Sequence, residues 1–555
     1  MKQCNIRFIG QCYDLNSEGK GVVKYNDVIG FVDDLLPGEK AEIKITYLKK
    51  DIFFGEVINL IEKSSNRVKP RCSYFNECGG CALMHLSYQG QLIFKKNKVA
   101  QCLSRIGGIK IKVNDTIGMD NPYNYRNKIQ MPIKLSKKGK VVSGFYKEKT
   151  HDIVALDTCQ IENKKADKIL LSIKALMKDF RVLPYDEDTR GGVIRHVLIR
   201  TSHYFNQIMV VLITNCDSFP GRHEFVRALI KKNPEITTVV QNINSRDTNV
   251  ILGDKQRILF GKGFINDKLC DIEFKISPKS FFQVNSLQTE KLYSLAIEAA
   301  NITKDDLVLD AYCGIGTIGL IASKKAKQVI GVEIVHEAVI DAINNAKNNN
   351  IKNANFYEGD ASEFIFEQYR NNIRFDVVIM DPPRKGSSEQ FLSILLKTKP
   401  KKIVYVSCDP ATLARDLKYL ANLYEVKSVA PVDMFPFTNH VESIVLLSHK
   451  SPDSHIDVKV EFGEGEEKVP LDKIAERAKQ YQPAPRVTYK MIQEYIEEKY
   501  GFKVHTAYIA EVKRNLGLPM YDAPNMVEEL KQPRRHPTAE KVEAIKDALK
   551  HFGVI

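Results

Sequence analysis

Residues 307–320, LVLDAYCGIGTIGL, run a short apolar segment into a glycine-rich turn and out again into apolar sequence. That order predicts a buried strand, a tight loop and the first turn of a helix. Gly314, Gly316 and Gly319 fall in G-x-G-x-x-G spacing, and Glu333 lies nineteen residues past Gly314 at the tip of the next apolar run. Glycines there let the backbone approach a ligand closely, and the following acid can accept hydrogen bonds from ribose hydroxyls. Spacing alone also fits a nicotinamide or flavin site. Two acids argue for a different ligand. Asp310 ends the first strand, where a carboxylate would repel a pyrophosphate, and Asp381-Pro382-Pro383 ends a later one. A sulfonium cation such as S-adenosylmethionine carries no phosphate and is attracted by both charges.

Working outward, residues 276–450 alternate strand and helix patterns, with strands LVLDAY, QVIGVEI, DVVIMDPP, KIVYVSCDP and ESIVLLSH. Their near-continuous apolar runs predict a parallel sheet covered on both faces. In VYVSCDPATLARDL, residues 404–417, strand sequence ends at Cys408 and a helix starts near Pro410. The thiol therefore falls at the carboxyl-end crevice where open α/β sheets bind ligands. The adjacent helix N-terminus is expected to lower its pKa below the free value of about 8.5. A small buried filler is the plain alternative.

A thiolate beside a methyl donor suits an acceptor too unreactive to be methylated unaided, such as carbon 5 of a pyrimidine. Addition of Cys408 to carbon 6 makes carbon 5 nucleophilic enough to take the methyl group. A base then removes the carbon-5 proton and the thiol departs, so one hard step becomes several easier ones. Glu442 in FTNHVESIVLL, just ahead of the last strand, is the expected base, and His440 competes with it.

Nearer the N-terminus, RCSYFNECGGCALMHL places Cys72, Cys78 and Cys81 in C-x5-C-x2-C spacing, with two glycines inside the final pair. Three cysteines in ten residues predict a metal or cluster site, with Cys159 in ALDTCQIE best placed as a fourth ligand. Zinc and an iron–sulfur cluster both accept four thiolates, and this spacing does not choose between them. A helix, HLSYQGQLIFKKNKVAQCLSRI, follows. Residues 123–275 read as mixed α/β. Residues 5–62 read as a small all-β barrel of about five strands. The organisation expected is 1–66 barrel, 67–275 central α/β domain, 276–450 Rossmann-like domain, and 451–555 linker and helical appendage. In that appendage a polar spacer, KSPDSHIDVKVEFGEGEEK, precedes two amphipathic helices around a Gly turn. A helical hairpin is favoured there over a helix-turn-helix.

The 555 residues are 43% hydrophobic and 27% charged, as in an ordinary soluble multidomain protein. No run of eighteen apolar residues and no signal-peptide core appear, so neither a membrane nor a secreted protein is expected. Eleven cysteines suit a reducing, cytoplasmic setting. The formal charge is +14, and residues 451–555 hold 17 Lys+Arg against 18 Asp+Glu, so the basic excess belongs to the first 450. Such an excess favours a polyanionic partner. Runs such as KKNK and SKKGK read as solvated faces.

With these motifs in order, residues 1–448 resemble the RumA-type 23S ribosomal RNA uracil-5-methyltransferases. The likeness runs from an N-terminal segment similar to a TRAM domain through CGGCALMHLSYQGQLIFK, YRNKIQMPI, SPKSFFQVNS, DAYCGIGTIGL, DPPRKG, VYVSCDPATLARDL and NHVESIVLL. It implies a class I methyltransferase fold and a [4Fe–4S] cluster on Cys72, Cys78, Cys81 and Cys159. It implies adenosylmethionine contacts at Gln283, Tyr312, Glu333 and Asp381, with Asp310 and Asp360 as weaker candidates, and it makes Cys408 the nucleophile and Glu442 the base. Gln283 comes from the resemblance alone. Thr317 departs from it, standing where some relatives carry Asn. RNA is the expected partner of a monomer, gripped by the barrel and by Arg126, Lys128, Arg195 and Arg200, with the target uracil in a loop or everted. The alternatives are transfer RNA as substrate, or a redox-sensing RNA-binding protein that keeps the fold without turnover.

Overall fold

Strands that are apolar on both faces need helices above and below, and residues 307–449 meet that need in the computed structural model. The structure describes residues 6–49, 51–147, 150, 152–248, 250–450, 489–516 and 536–552. Packing divides the chain into two units, Met1–His455 and Ile456–Ile555.

In the first unit, seven strands are numbered here in chain order: β1 Leu307–Ala311, β2 Gln328–Glu333, β3 Ala354–Glu358, β4 Val377–Met380, β5 Lys402–Ser407, β6 Tyr424–Val432 and β7 Glu442–His449. They lie in the order β3-β2-β1-β4-β5-β7-β6. β1 to β5 pair in parallel, and β7 runs antiparallel to both β5 and β6. Alternate side chains feed two cores. Val308, Ile379 and Val404 pack with Leu292 and Leu320 on one face. Leu309, Val378 and Tyr405 pack with Phe391 and Leu413 on the other. This is the two-residue period of a strand.

Two of the seven strands are not among those named from the sequence, namely β3 and β6. They are the two edges of the sheet. Each has several solvated positions, so its apolar signal is interrupted.

A second seven-stranded sheet is built from residues 128–260, with helices Lys164–Asp179 and Arg222–Lys232. Its Leu198, Met209, Val211 and Ile213 belong to the same core as Val308 and Val404, so the two sheets are packed together. The N-terminal residues form a six-stranded sheet between Arg7 and Glu62. The strand beyond the expected five is the two-residue Asp14–Leu15. Arg7–Gln11 also approaches Gly21–Tyr25, which curls the sheet.

The second unit is described by three helices, Tyr489–Tyr500, Thr506–Asn515 and Ala539–His551. The first two flank Gly501, whose φ of +76° is the left-handed turn expected between them. Ile496, Ile509, Ile545 and Leu549 close a core of their own. The polar spacer read at 450–468 lies, after Lys450, outside the described residues. No helix among the described residues is long and apolar enough to cross a membrane.

Candidate active site

The carboxyl ends of parallel β1, β2, β4 and β5 lie along one edge, and antiparallel β7 begins there. A cavity of about 890 Å³ opens at that edge. Gln283, Tyr312, Glu333, Asp381, Cys408 and Glu442 all line it, so residues from widely separated segments meet at one site.

The glycine loop is built under tension. Tyr312 takes φ +63°, uncommon for a side-chain-bearing residue and a mark of a constrained position. Its hydroxyl bonds Ser387 at 3.1 Å and its ring packs on Phe391. Gly316 takes φ +80°, and a Cβ there would sit 2.8 Å from the Phe356 ring. Glu333 accepts from the backbone N–H of Gly314 at 3.1 Å and of Val335 at 3.0 Å, tying the tip of β2 to the loop after β1. Gln283 is buried, and its side chain reaches the Tyr293 hydroxyl. Its carbonyl accepts from Asn127 Nδ2 at 3.0 Å.

Asp310 lines the cavity but is almost fully buried, and its Oδ2 accepts from the Gly319 N–H at 2.7 Å. Burial pushes its carboxyl up to about 8. It braces the third glycine rather than presenting a free charge. Asp360 lines the cavity while capping helix Ala361–Arg370 through the N–H groups of Ser362 and Glu363. Burial raises the Asp381 and Glu442 carboxyls, and Asp381 raises Glu442 further. A pocket this rich in carboxyl groups gains most from a cationic ligand.

Ser407 pairs with Ser443 as the last pair between β5 and β7, and Cys408 and Glu442 adjoin that pair on the cavity side, close enough for the Glu442 charge to act on the thiol. The expected lowering of the thiol pKa is not found. Burial pushes Cys408 up to about 12, with the Glu442 and Asp381 carboxylates adding to it and Arg384 opposing. The helix Pro410–Leu420 cannot reverse this, because Asp409 already caps it by accepting from Ala411 and Thr412. His440 is a poor base. Arg384 Nη2 donates to its Nδ1 at 3.1 Å, and burial, then Arg384 and Lys98, push it down to about 4. Arg384 had no role in the sequence reading; its place directly after Asp381-Pro-Pro was the available signal.

Cys72, Cys78, Cys81 and Cys159 line one cavity of about 90 Å³. Among the described residues, no three His, Cys, Asp or Glu side chains converge as ligands of a single metal ion. Burial and neighbouring thiolates both push Cys81 up, to about 12, so four thiolates left without metal would repel one another. Arg195 and Arg200, expected at phosphates, are buried instead. Arg195 donates to the carbonyls of Asn244 and Arg246, and Arg200 to that of Ser280. Lys128 is half-buried and pushed down to about 8, first by burial and then by Arg200 and Arg126. Arg126 lines both the large cavity and the cysteine cavity.

Residues 231–450 match the sequence model of the tRNA (uracil-5-)-methyltransferase family. An uncharacterized RNA methyltransferase of Listeria innocua is 47% identical over 438 residues, covering 79% of this chain and 96% of the relative. One from Clostridium tetani is 45% identical over 436 residues, covering 78% and 95%. The crystal structure of Pyrococcus abyssi tRNA (uracil-54, C5)-methyltransferase with S-adenosyl-L-homocysteine superposes with a TM-score of 0.63 at 28% identity, over 79% of this chain and all of that one. An edge of carboxylates around a glycine loop, a thiol and a buried glutamate adjoining the last pair of one ladder, and these likenesses agree: the chain belongs to the RNA (uracil-5-)-methyltransferase family and is an S-adenosylmethionine-dependent enzyme.

Proposed function

We propose that the substrate is a uridine of 23S ribosomal RNA, methylated at carbon 5 through a covalent bond to Cys408. The observation that carries this reading is that Cys408 and Glu442, adjoining the last pair between β5 and β7, both line the cavity that Gln283, Tyr312, Glu333 and Asp381 also line. The Cys408 sulfur adds to carbon 6 of the everted base, and the electron pair of the 5,6 double bond moves to carbon 5. Carbon 5 attacks the sulfonium methyl, the methyl–sulfur bond breaks, and S-adenosylhomocysteine is left. Glu442 takes the carbon-5 proton, the carbon 6–sulfur bond breaks, and the ring double bond returns. Before this, Cys408 must lose its proton. Its high pKa makes that costly until the sulfonium charge offsets the nearby carboxylates. Asp381 and Glu333 hold the sulfonium and ribose portions, and Tyr312 and Gln283 flank them.

The four cysteines fit a [4Fe–4S] cluster better than one ion, because each thiolate of a cluster binds a separate iron and the four need not converge. Bound there, the cluster would supply a redox-capable or purely structural cross-link between the segment 72–81 and residue 159. The curled N-terminal sheet suits a TRAM-like RNA-binding module. Transfer RNA is the second reading, favoured by the substrate named for the superposable Pyrococcus enzyme. Labelled adenosylmethionine offered with 23S ribosomal RNA and with transfer RNA in parallel separates the two. Mapping 5-methyluridine in the labelled RNA then identifies the target, and label confined to transfer RNA overturns the ribosomal assignment.

A further inference from the structure

The lysine run KKNK, which reads as a solvated face, holds the most deeply buried lysine described here. Lys95 is 0% exposed, and so is its partner Asp433. Lys95 Nζ donates to Asp433 Oδ1 at 2.5 Å and to the Phe435 carbonyl at 2.9 Å. The contact is one of a series. On the helix Tyr88–Arg105, Tyr88, Gln91, Lys95 and Lys98 are spaced three, four and three residues apart, which puts them on one face. Tyr88 donates its hydroxyl to Asp433 Oδ2. Gln91 Oε1 accepts the Phe437 N–H at 2.9 Å, and Lys98 Nζ donates to the Asn439 carbonyl at 2.8 Å.

The strand that ends at Val432 thus continues into Asp433–Asn439 under four side-chain grips before Glu442 begins the next. Phe437 is the tightest point. It takes φ +68°, its N–H goes to Gln91, and its carbonyl accepts from the N–H groups of Ala82 and Leu83, directly after Cys81. A strained residue persists where its surroundings over-determine it. Phe435 and Thr438 from this segment, and His440 just after it, line the catalytic cavity.

We infer that this helix face is the positioning device for the catalytic base: Gln91, Lys95 and Lys98 fix the segment Asp433–Asn439 and so set where Glu442 meets carbon 5. The inference rests on Glu442 being that base. A displaced base slows removal of the carbon-5 proton while leaving thiol addition and methyl transfer intact, so the methylated protein–RNA adduct accumulates. The test compares Gln91→Leu, the milder Lys98→Met and Glu442→Gln with the unaltered full chain, loaded with adenosylmethionine and substrate RNA. Read out are the adduct surviving a denaturing gel, kcat, and adenosylmethionine affinity by equilibrium binding. The expected result is an adduct in all three variants, kcat lowered about tenfold or more in Gln91→Leu and several-fold in Lys98→Met, and adenosylmethionine affinity within twofold of the unaltered chain. An adduct in Glu442→Gln but in neither helix variant overturns the positioning role alone. Absence of adduct in Glu442→Gln overturns the assignment of the base. Parallel loss of cofactor affinity and turnover in the helix variants, without adduct, shows a merely structural role and also overturns the inference.

Discussion

Cys408 follows Ser407 and Glu442 precedes Ser443, and the two serines are the last pair between β5 and β7, so thiol and carboxyl adjoin one strand pair at the rim of the same cavity. Two groups held that way can act in turn on adjacent ring carbons. Cys408→Ala should therefore lower methyl transfer by at least about a thousandfold, because the bond to carbon 6 cannot form without its sulfur. Glu442→Gln should lower turnover by about a hundredfold or more while sparing adduct formation. Release of tritium from carbon-5-labelled uridine in RNA measures both variants.

The charges around the thiol predict opposite signs for two measurements on one variant. Glu442 raises the Cys408 pKa, so removing its charge lowers that pKa and increases the thiolate fraction at a fixed pH. Glu442→Gln should thus speed alkylation of Cys408 by iodoacetamide at pH 9 several-fold, even as turnover collapses. Mass spectrometry of the peptide carrying Cys408 follows the rate. An unchanged or slower rate would show that the carboxylate does not act on the sulfur.

These outcomes also mark where the sequence stops being legible. The glycine loop, the strands on either side of it and the cysteine at the tip of β5 are local patterns, and each appears as a period, a spacing or a boundary. The edge strands β3 and β6 escaped because a half-solvated strand breaks its apolar run. A helix N-terminus is visible in one segment, whereas the burial that dominates the Cys408 shift, and the Glu442 and Asp381 carboxylates that add to it, come from segments far apart in the chain. Lys95 was misread for the same reason. A lysine among lysines looks solvated until a carboxylate 338 residues away is folded against it.

Asp310 gives a stability prediction whose sign follows from its burial. Its folded pKa, about 8, lies above the ordinary carboxyl value, so the folded state favours the proton. That contribution is complete at acid pH, below the unfolded value, and is lost as pH rises toward and through 8. Asp310→Asn keeps an acceptor for the Gly319 N–H without the buried charge. Its melting temperature should lie close to the wild type below about pH 4 and exceed it by a margin that grows up to pH 8, as read by scanning fluorimetry across that range. A gap that narrows as pH rises would refute this origin.

The cysteine cavity predicts metal content separately from activity. Cys159→Ser removes a thiolate from the proposed ligand set, whereas Cys216→Ser alters a half-buried cysteine elsewhere. After anaerobic reconstitution, the unaltered chain and Cys216→Ser should each hold about four irons with a broad thiolate-to-iron absorption band. Cys159→Ser should hold fewer and bleach faster in air. Equal iron and sulfide in all three would remove Cys159 from the site.

The pair Lys95–Asp433 predicts a stability cost that depends on which partner goes. Both side chains are fully buried, so Lys95→Met leaves the Asp433 carboxyl in the core without its cation, with Tyr88 the remaining side-chain donor to it among the described residues. Breaking a buried pair from one side costs about 3–5 kcal/mol, whereas replacing both partners is often close to neutral. Lys95→Met alone should therefore unfold at markedly lower urea. Lys95→Met with Asp433→Asn, which preserves an acceptor for the Tyr88 hydroxyl, should recover much of the loss. Urea titrations followed by fluorescence of the tyrosines give the difference directly. If the double variant is no more stable than the single one, the buried charge is not the source of the cost, and loss of the Lys95 contact to the Phe435 carbonyl takes its place.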